Sequence, residues 1–245
     1  MIIVSDSYIQ ENLMQEKIKE LQTKAVSFLK SYSLLVNGIN LSLKEIEVYY
    51  HEKGVFEDYT VHRNELQANN RFHFYVHRNG KSKDYKPKGG KRGGCDFVLS
   101  DKQDVYYTFL IRSIVIDNEL IVGPNNSLKA ILSKTGLTYS ELEVAKVELV
   151  PTTTPHDIFT THRIGLSQSE TEGDAIFYKA ELRFIVCDEY FKQTDKNSKC
   201  GYKLRTKAID NFLSRQININ KMSREEAAEY SKKWYGAISD WLKKD

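Results

Sequence analysis

The N-terminal part of the chain has an apolar pattern with the spacing of a helix. Apolar residues recur every three or four positions, which places them on one face of a helix: Met14, Ile18, Leu21, Ala25, Phe28 and Tyr32. Asp6 or Ser7 is a suitable residue for the N-cap. We therefore predict a long amphipathic helix over residues 7–36.

A second helical pattern lies at the C-terminus. Ser223 and Glu226 have the spacing of a capping box. After them, apolar residues at helical spacing form a stripe: Ala227, Tyr230, Trp234, Ile238 and Trp241. This predicts a helix over residues 223–243, and we expect its stripe to pack against a core rather than against a partner.

Between these helices the pattern changes to the period of two that is typical of strands. Residues 41–50 place Glu45 and Glu47 among aromatic residues, and in residues 72–77 the apolar residues Phe and Val alternate with His and Tyr. Further strands are predicted at 96–99, 105–116 and 180–187, and short helices after Gly123 and at 139–145. We interpret residues 151–174 as surface loops around a short central element.

These elements predict the fold class. The intervals between the strands are too short or too rich in glycine for helical crossovers, so the sheet should be mostly antiparallel. Helices and strands do not alternate regularly, which is typical of the α+β class. We predict a single domain with a central sheet core over residues 41–187 and flanking helices.

Composition narrows the class of protein further. The chain has 245 residues, of which 40% are hydrophobic and 28% charged, and these values are close to the globular average. No apolar stretch is long enough to cross a bilayer, and the N-terminus is too polar for a signal peptide. The three cysteines are widely spaced and form no disulfide framework. We expect a cytoplasmic, monomeric protein that does not bind a membrane.

Positive charge is concentrated in one segment. Residues 78–92 contain seven basic residues and one acid, although the whole chain carries a net charge of only +3. Such a segment is typical of a surface that binds a polyanion, and its alternative is a solvated loop. The candidates for contact with a nucleic-acid backbone are Lys86, Lys88, Lys91 and Arg92.

Motifs for metal or phosphate chemistry are lacking. His51, His62, His73 and His77 have neither HExxH nor Cys-His spacing, so we expect no metal. The Gly-Gly pairs beside Lys91 match no nucleotide-binding loop, so we expect no cofactor. From periodicity alone, Glu47 and Arg112 are more simply interpreted as an ion pair between strands than as a catalytic pair.

Five short segments, taken in chain order, resemble the alkyladenine (3-methyladenine) DNA glycosylase family, the class built on a single α/β domain. They are residues 45–49, residues 57–58 with His62, residues 109–114, residues 123–130, and residues 162–165 with 182–184. The chain departs from the family at two places. Residues 86–94 are basic and rich in glycine where the family has an aromatic hairpin that enters the duplex. Phe97 occupies the pocket position of an Asn.

The resemblance implies roles for several residues. Glu47 is expected to deprotonate the attacking water, Arg112 to orient this water and keep Glu47 ionised, and the backbone carbonyl of Ile164 to bind the water. The resemblance implies that Tyr49 and His62 hold the extruded base, with Phe97 in the pocket. Alternation along the strand adds two more candidates, His73 and Tyr75, whose alternative is ordinary cross-strand packing.

The function implied by the resemblance is hydrolysis of an N-glycosidic bond. We expect a monofunctional DNA glycosylase that flips a modified base out of duplex DNA and excises it, leaving an abasic site without lyase activity. Two alternatives remain. One is a non-catalytic nucleic-acid-binding module on the same fold, and the other is an N-glycosidase that acts on nucleosides or RNA.

Overall fold

The fold is given by a computed structural model, which describes residues 6–78, 85, 93–164, 166, 176–188, 223–226, 228–229 and 232. Most of the predicted C-terminal helix and most of the basic segment lie outside the described residues. Within the described part of the C-terminus, Ser223 and Glu226 form the predicted capping box: the Glu226 N–H donates to Ser223 Oγ at 3.0 Å, and the Ser223 N–H donates to Glu226 Oε2 at 2.8 Å.

Among the described residues the main helices are α1 (Asp6–Ser31), α2 (Glu65–Asn69), α3 (Pro124–Thr135), α4 (Tyr139–Val144) and α5 (Ile176–Lys179). Local sequence explains the bounds of α3: Pro124 starts it, and Gly136 ends it in the left-handed conformation that glycine favours, with φ of 71°. A capping box of Thr138 and Glu141 starts α4. These two helices confirm the prediction for this part of the chain.

The strands fall into an early and a late group. The early group is β1 (Tyr32–Val36), β2 (Ile39–Glu52), β3 (Phe56–Glu57), β4 (Phe74–Val76) and β5 (Cys95–Val98). The late group is β6 (Val105–Ile116), β7 (Glu119–Val122), β8 (Glu148–Pro151), β9 (Ile158–Thr161) and β10 (Arg183–Val186).

These strands form one sheet of ten strands within the described residues, with β4-β5-β6-β2-β1-β8 as its main order. β10 pairs with β2 and with β9, while β3 and β7 pair with β2 and β6. Every pairing between the described strands is antiparallel. The predicted α+β class with an antiparallel sheet is confirmed.

One face of the sheet packs against α1 and forms the main core. Phe28 of α1 contacts the rings of Phe97 and Phe109, which project from β5 and β6. Ile46 and Val48 of β2 belong to the same buried cluster. The opposite face of the same strands is therefore available for polar side chains.

The prediction of a helix over residues 7–36 is wrong in its last five residues. The helix ends at Ser31, and Tyr32–Val36 is strand β1, which pairs with β2 and β8. Asn37 and Gly38 both have positive φ, of 46° and 78°, and this two-residue turn joins β1 to β2 as a hairpin. The backbone pairing therefore outweighs the helical spacing of Tyr32.

The interpretation of residues 151–174 as loops is also wrong in part. Ile158–Thr161 forms strand β9, which pairs with β10 over four residues.

Among the described residues, no helix is long and apolar enough to span a membrane.

Candidate active site

Two irregularities in the pairing of β2 with β6 lie at the centre of the sheet. Register shifts separate Leu43 from Glu45 and Glu45 from Ile46, so that first Lys44 and then Arg112 is the extra residue of a bulge. Because of the first bulge, Leu43 lies in the core, whereas Glu45 and Glu47 project from the other face. The second bulge directs both Arg112 and Ser113 towards Glu45.

Glu47 is completely buried and is held by three groups. The Ile164 backbone N–H donates to Oε1 at 2.8 Å, Arg112 Nη1 lies 3.1 Å from the same oxygen, and the Tyr49 hydroxyl donates to Oε2 at 3.1 Å. Burial raises the pKa of Tyr49 well above its ordinary value, and the Glu47 charge raises it further, so the phenol stays protonated as a donor. The sequence-predicted pair of Glu47 and Arg112 is thus brought into direct contact.

Glu45 joins this pair to a second arginine. Its Oε1 accepts from Arg183 Nε at 2.8 Å and from Arg112 Nε at 3.2 Å, and its Oε2 accepts from the Ser113 hydroxyl at 3.0 Å. Burial acts to lower the pKa of Arg112, but the charges of Glu47 and Glu45 outweigh it and raise this pKa above its ordinary value. Burial dominates at Arg183 and lowers its pKa.

A buried ion pair anchors the segment that carries the Ile164 N–H. Arg163 Nη1 donates to Asp58 Oδ2 at 2.6 Å and to Thr60 Oγ1 at 3.2 Å, while Nη2 donates to the Phe177 carbonyl at 3.0 Å. The guanidinium lies 4.7 Å from the centre of the Tyr49 ring. Arg163 therefore fixes both the ring of Tyr49 and the backbone next to Ile164.

Further polar side chains lie two strands away from Glu47 on the same face. The pairing register places Tyr75, Asp96, Leu110 and Glu47 in one row across β4, β5, β6 and β2. Asp96 is 3% exposed, and it accepts from Gln67 of α2 at 2.8 Å and from Thr108 at 3.1 Å. Its other oxygen lies 2.7 Å from His77 Nε2.

The aromatic candidates divide between the two faces of the sheet. Tyr75 and His62 lie together beside His77: the Tyr75 hydroxyl is 3.3 Å from His62 Nδ1, and the rings of His62 and His77 are 4.8 Å apart. His73 lies outside this group, and its Nδ1 is 3.0 Å from the Arg71 carbonyl. Phe97 packs in the core on the opposite face, so it does not line this side of the sheet.

Two other sets of predicted contacts stay predictions. The backbone N–H of Ile164 donates to Glu47, and the expected contact of the Ile164 carbonyl with a water is a separate prediction. Lys86, Lys88, Lys91 and Arg92 lie outside the described residues.

Sequence reasoning missed several members of the site. The sequence-based prediction assigns no separate role to Glu45, Asp58, Asp96, Arg163 or Arg183. One signal was available for all of them: each is a charged residue within or beside an apolar segment, and buried charges have to be paired.

The arrangement combines an oriented carboxylate with a cluster of rings on the same face of the sheet. Within the described residues, no group of three or more His, Cys, Asp or Glu is placed to hold a metal ion. In general, burying an ion costs several kcal/mol before it is paired, and this cost applies to Glu45, Glu47 and their arginines. An apolar packing of the same volume is commonly as stable, so stability alone does not explain this cluster.

Comparison of the chain with protein-family models, with curated proteins and with solved structures gives no match.

Proposed function

We propose that the protein is a DNA glycosylase-like N-glycosidase that hydrolytically excises a modified base from DNA and leaves an abasic site. The observation that carries the proposal is the position of Glu47. Its carboxylate is held by Ile164, Arg112 and Tyr49 on the same face as the cluster of Tyr75, His62 and His77. An oriented general base on the same face as a group of rings is what base removal requires.

The chemistry assigned to Glu47 is general-base catalysis. The carboxylate takes a proton from water while the water oxygen bonds to C1′ and the C1′–N bond breaks. Glu47 has no exposed surface, so this chemistry requires that the residues covering it move when DNA binds. Its negative charge is then less screened than in bulk water and stabilises the positive charge that develops on the sugar. Arg112 and the Ile164 N–H hold the carboxylate in one orientation.

The spacing of the strands sets the distance between the two carboxylates on this face. Glu47 and Asp96 are separated by one strand, so their Cα atoms lie roughly 10 Å apart, which is twice the spacing between neighbouring strands. Leu110 lies between them in the same row. A flipped base lying over Leu110 would have its sugar near Glu47 and its far edge near His77.

We assign DNA as the partner because of the basic segment. Arg78 and Tyr85, which are bridged to each other, both hydrogen-bond to Glu143 of α4, at 2.8 Å and 2.9 Å. These contacts hold Arg78 and Tyr85 in place. Four basic residues follow directly in the sequence, and we assign them to contacts with the phosphate backbone of the duplex: Lys86, Lys88, Lys91 and Arg92. We expect the protein to bind the duplex as a monomer.

The experiment compares wild type with Glu47→Gln on duplexes that carry alkylated adenine or hypoxanthine. The change keeps the shape of the side chain but removes the base, so we expect base release to fall by at least about 100-fold. Glu119→Gln, at an exposed position of β7, is the matched control and should act like wild type. Equal release by Glu47→Gln and wild type contradicts the assigned role.

The same assay separates the proposal from its alternatives. Release of base without cleavage of the strand supports a monofunctional enzyme, since hydrolysis forms no Schiff base. Release only from mononucleosides or RNA identifies the other N-glycosidase. Tight binding of DNA with no release from any substrate identifies a non-catalytic binding module.

A further inference from the structure

A groove with a volume of about 720 Å³ lies between α1 and the sheet, on the face opposite Glu47. Its floor is a continuous row of aromatic rings, in which each ring centre lies 5.3–5.7 Å from the next: Tyr32, Phe28, Phe109, Tyr107 and Tyr50. The ion pair of Arg71 and Asp101 borders the groove on the side away from α1. Tyr32 is 37% exposed, so the described residues leave this aromatic row partly uncovered.

The polar groups of the groove suit the side chain of a tryptophan. Burial raises the pKa of Tyr107, so its hydroxyl stays protonated, and among the described residues this hydroxyl has no hydrogen-bond partner. Its oxygen can accept a hydrogen bond from an indole N–H. Lys17 Nζ lies 4.4 Å from the centre of the Tyr50 ring, so a cation is present that can also attract the face of an indole.

The C-terminal segment has an apolar stripe on one side only. Every described residue from 223 onwards is exposed: Ser223, Arg224, Glu225, Glu226, Ala228, Glu229 and Lys232. At the spacing of a helix, the predicted stripe falls on the side away from these residues, within an arc of about 80°: Ala227, Tyr230, Trp234, Ile238 and Trp241. The stripe lies outside the described residues, and an amphipathic helix of this kind needs an apolar surface to pack against.

The groove and the stripe match in length. The α1 side of the groove runs from Lys17 to Phe28, which is about 16 Å by the rise of an α-helix. By the same rise, Trp234 and Trp241 are about 10 Å apart, so one groove accommodates both. Residues 189–222 connect β10 to this segment, and at up to about 3.3 Å per residue they are long enough to reach either face of the sheet.

We propose that residues 223–243 form a helix whose apolar stripe, with Trp234 and Trp241, packs into the aromatic groove between α1 and β6 of the same chain. The helix extends the core of Phe28 and Phe109 outwards over the ring row. The inference does not depend on the proposed function, because the groove and Glu47 lie on opposite faces of the sheet.

The first test measures proximity in the full chain without DNA, and it uses the fact that the only two tryptophans of the chain are in the stripe. A nitroxide, which quenches indole fluorescence at short range, is attached to Lys102→Cys at the exposed rim of the groove. The background is Cys200→Ser, since Cys95 and Cys187 are buried. We expect this label to quench most of the tryptophan fluorescence. The same label on Lys129→Cys, at an exposed position of α3, is the matched control and should quench little.

The second test blocks the groove. Ser27→Arg places a long side chain over the ring row from an exposed position of α1, so tryptophan emission should shift to longer wavelength and quenching by acrylamide should increase. Gln15→Arg, which is exposed on α1 but outside the groove, is the control and should match wild type. Far-ultraviolet circular dichroism checks the fold of both variants.

Equal quenching by the two nitroxide labels, or unchanged emission in Ser27→Arg, overturns the inference. Labelled protein is also mixed with an excess of unlabelled protein. Quenching within one chain is unaffected by this mixing, whereas quenching that falls identifies a second copy of the chain as the occupant and overturns the inference. None of these outcomes bears on base release, so the proposed function succeeds or fails separately.

Discussion

The buried pair of Arg163 and Asp58 gives the sharpest prediction about the protein's stability. Both side chains are fully buried and their charged atoms are 2.6 Å apart. In Arg163→Leu, Asp58 keeps only the hydrogen bonds from Thr60, whose N–H and hydroxyl donate to Oδ1 at 3.0 Å and 2.6 Å. The variant therefore leaves a carboxylate in the interior without a cation, and the Phe177 carbonyl without its donor.

Removing one partner of a buried ion pair costs about 3–5 kcal/mol, so the free energy of unfolding should fall by this amount in Arg163→Leu. Arg71→Leu is the matched control, because Arg71 and Asp101 form the same kind of pair at 2.9 Å with half or more of each side chain exposed. That change should cost less than about 1 kcal/mol. Urea unfolding followed by circular dichroism and tryptophan fluorescence measures both values.

A double-mutant cycle decides whether the cost belongs to the pair. In Arg163→Leu with Asp58→Ala, no uncompensated charge remains, so the double variant should lose less stability than the sum of the single variants, by about 1 kcal/mol or more. If Arg163→Leu costs no more than Arg71→Leu, or if the single changes simply add, the pair does not stabilise the segment before Ile164. The position of the Ile164 N–H on Glu47 would then need another explanation.

Two further predictions concern pH and salt. Burial lowers the pKa of His51, so as the pH falls below about 6.5 the unfolded chain gains a proton that the folded protein does not. Acidification from about pH 7 to pH 5 should therefore lower the Tm of wild type more than that of His51→Gln. Equal shifts in Tm would contradict this prediction. Changing Lys88, Lys91 and Arg92 together to Gln should flatten the dependence of log Kd on log salt by about 2.7, which is three phosphate contacts, and an unchanged slope would show that these residues do not contact DNA.

Elements with strong local signals were predictable from the sequence. The start and end of α3 follow from Pro124 and Gly136, and the capping box of Thr138 fixes the start of α4. The long strand β6 coincides with the predicted residues 105–116, since its β-branched and aromatic residues favour an extended chain over its whole length. In each case, neighbours in sequence determine the conformation.

Strand β1 was missed because its conformation depends on distant residues. Phe28 and Tyr32 are four apart, which suits a helix, but Leu34 pairs with Leu41 on one side and with Leu149 on the other. Hydrogen bonding to two strands at once outweighs a weak helical preference. The Asn37-Gly38 turn is the only local indication of a hairpin, and residues 32–36 before it fall within the predicted helix.

The candidate site shows the limit of periodicity more clearly. A strict period of two places Leu43 on the same face as Glu45 and Glu47, whereas the bulge at Lys44 separates them. Neither this bulge nor the second bulge at Arg112 contains a glycine or a proline that would indicate it in the sequence. The pattern therefore shows that this strand carries carboxylates, but it does not predict that they lie on the face opposite the core residues.

Charge provides the constraint that periodicity lacks. Glu45, Glu47, Arg112 and Arg183 all lie in segments that are otherwise apolar, and a lone charge buried in such a segment costs several kcal/mol. Opposite charges on different strands must therefore meet, and the register of β2, β6 and β10 as neighbours meets this requirement. It does not determine which arginine takes which carboxylate, because either pairing would neutralise the charges. That choice is made by the bulge at Arg112, which allows one guanidinium to contact both Glu45 and Glu47 and leaves Arg183 to Glu45.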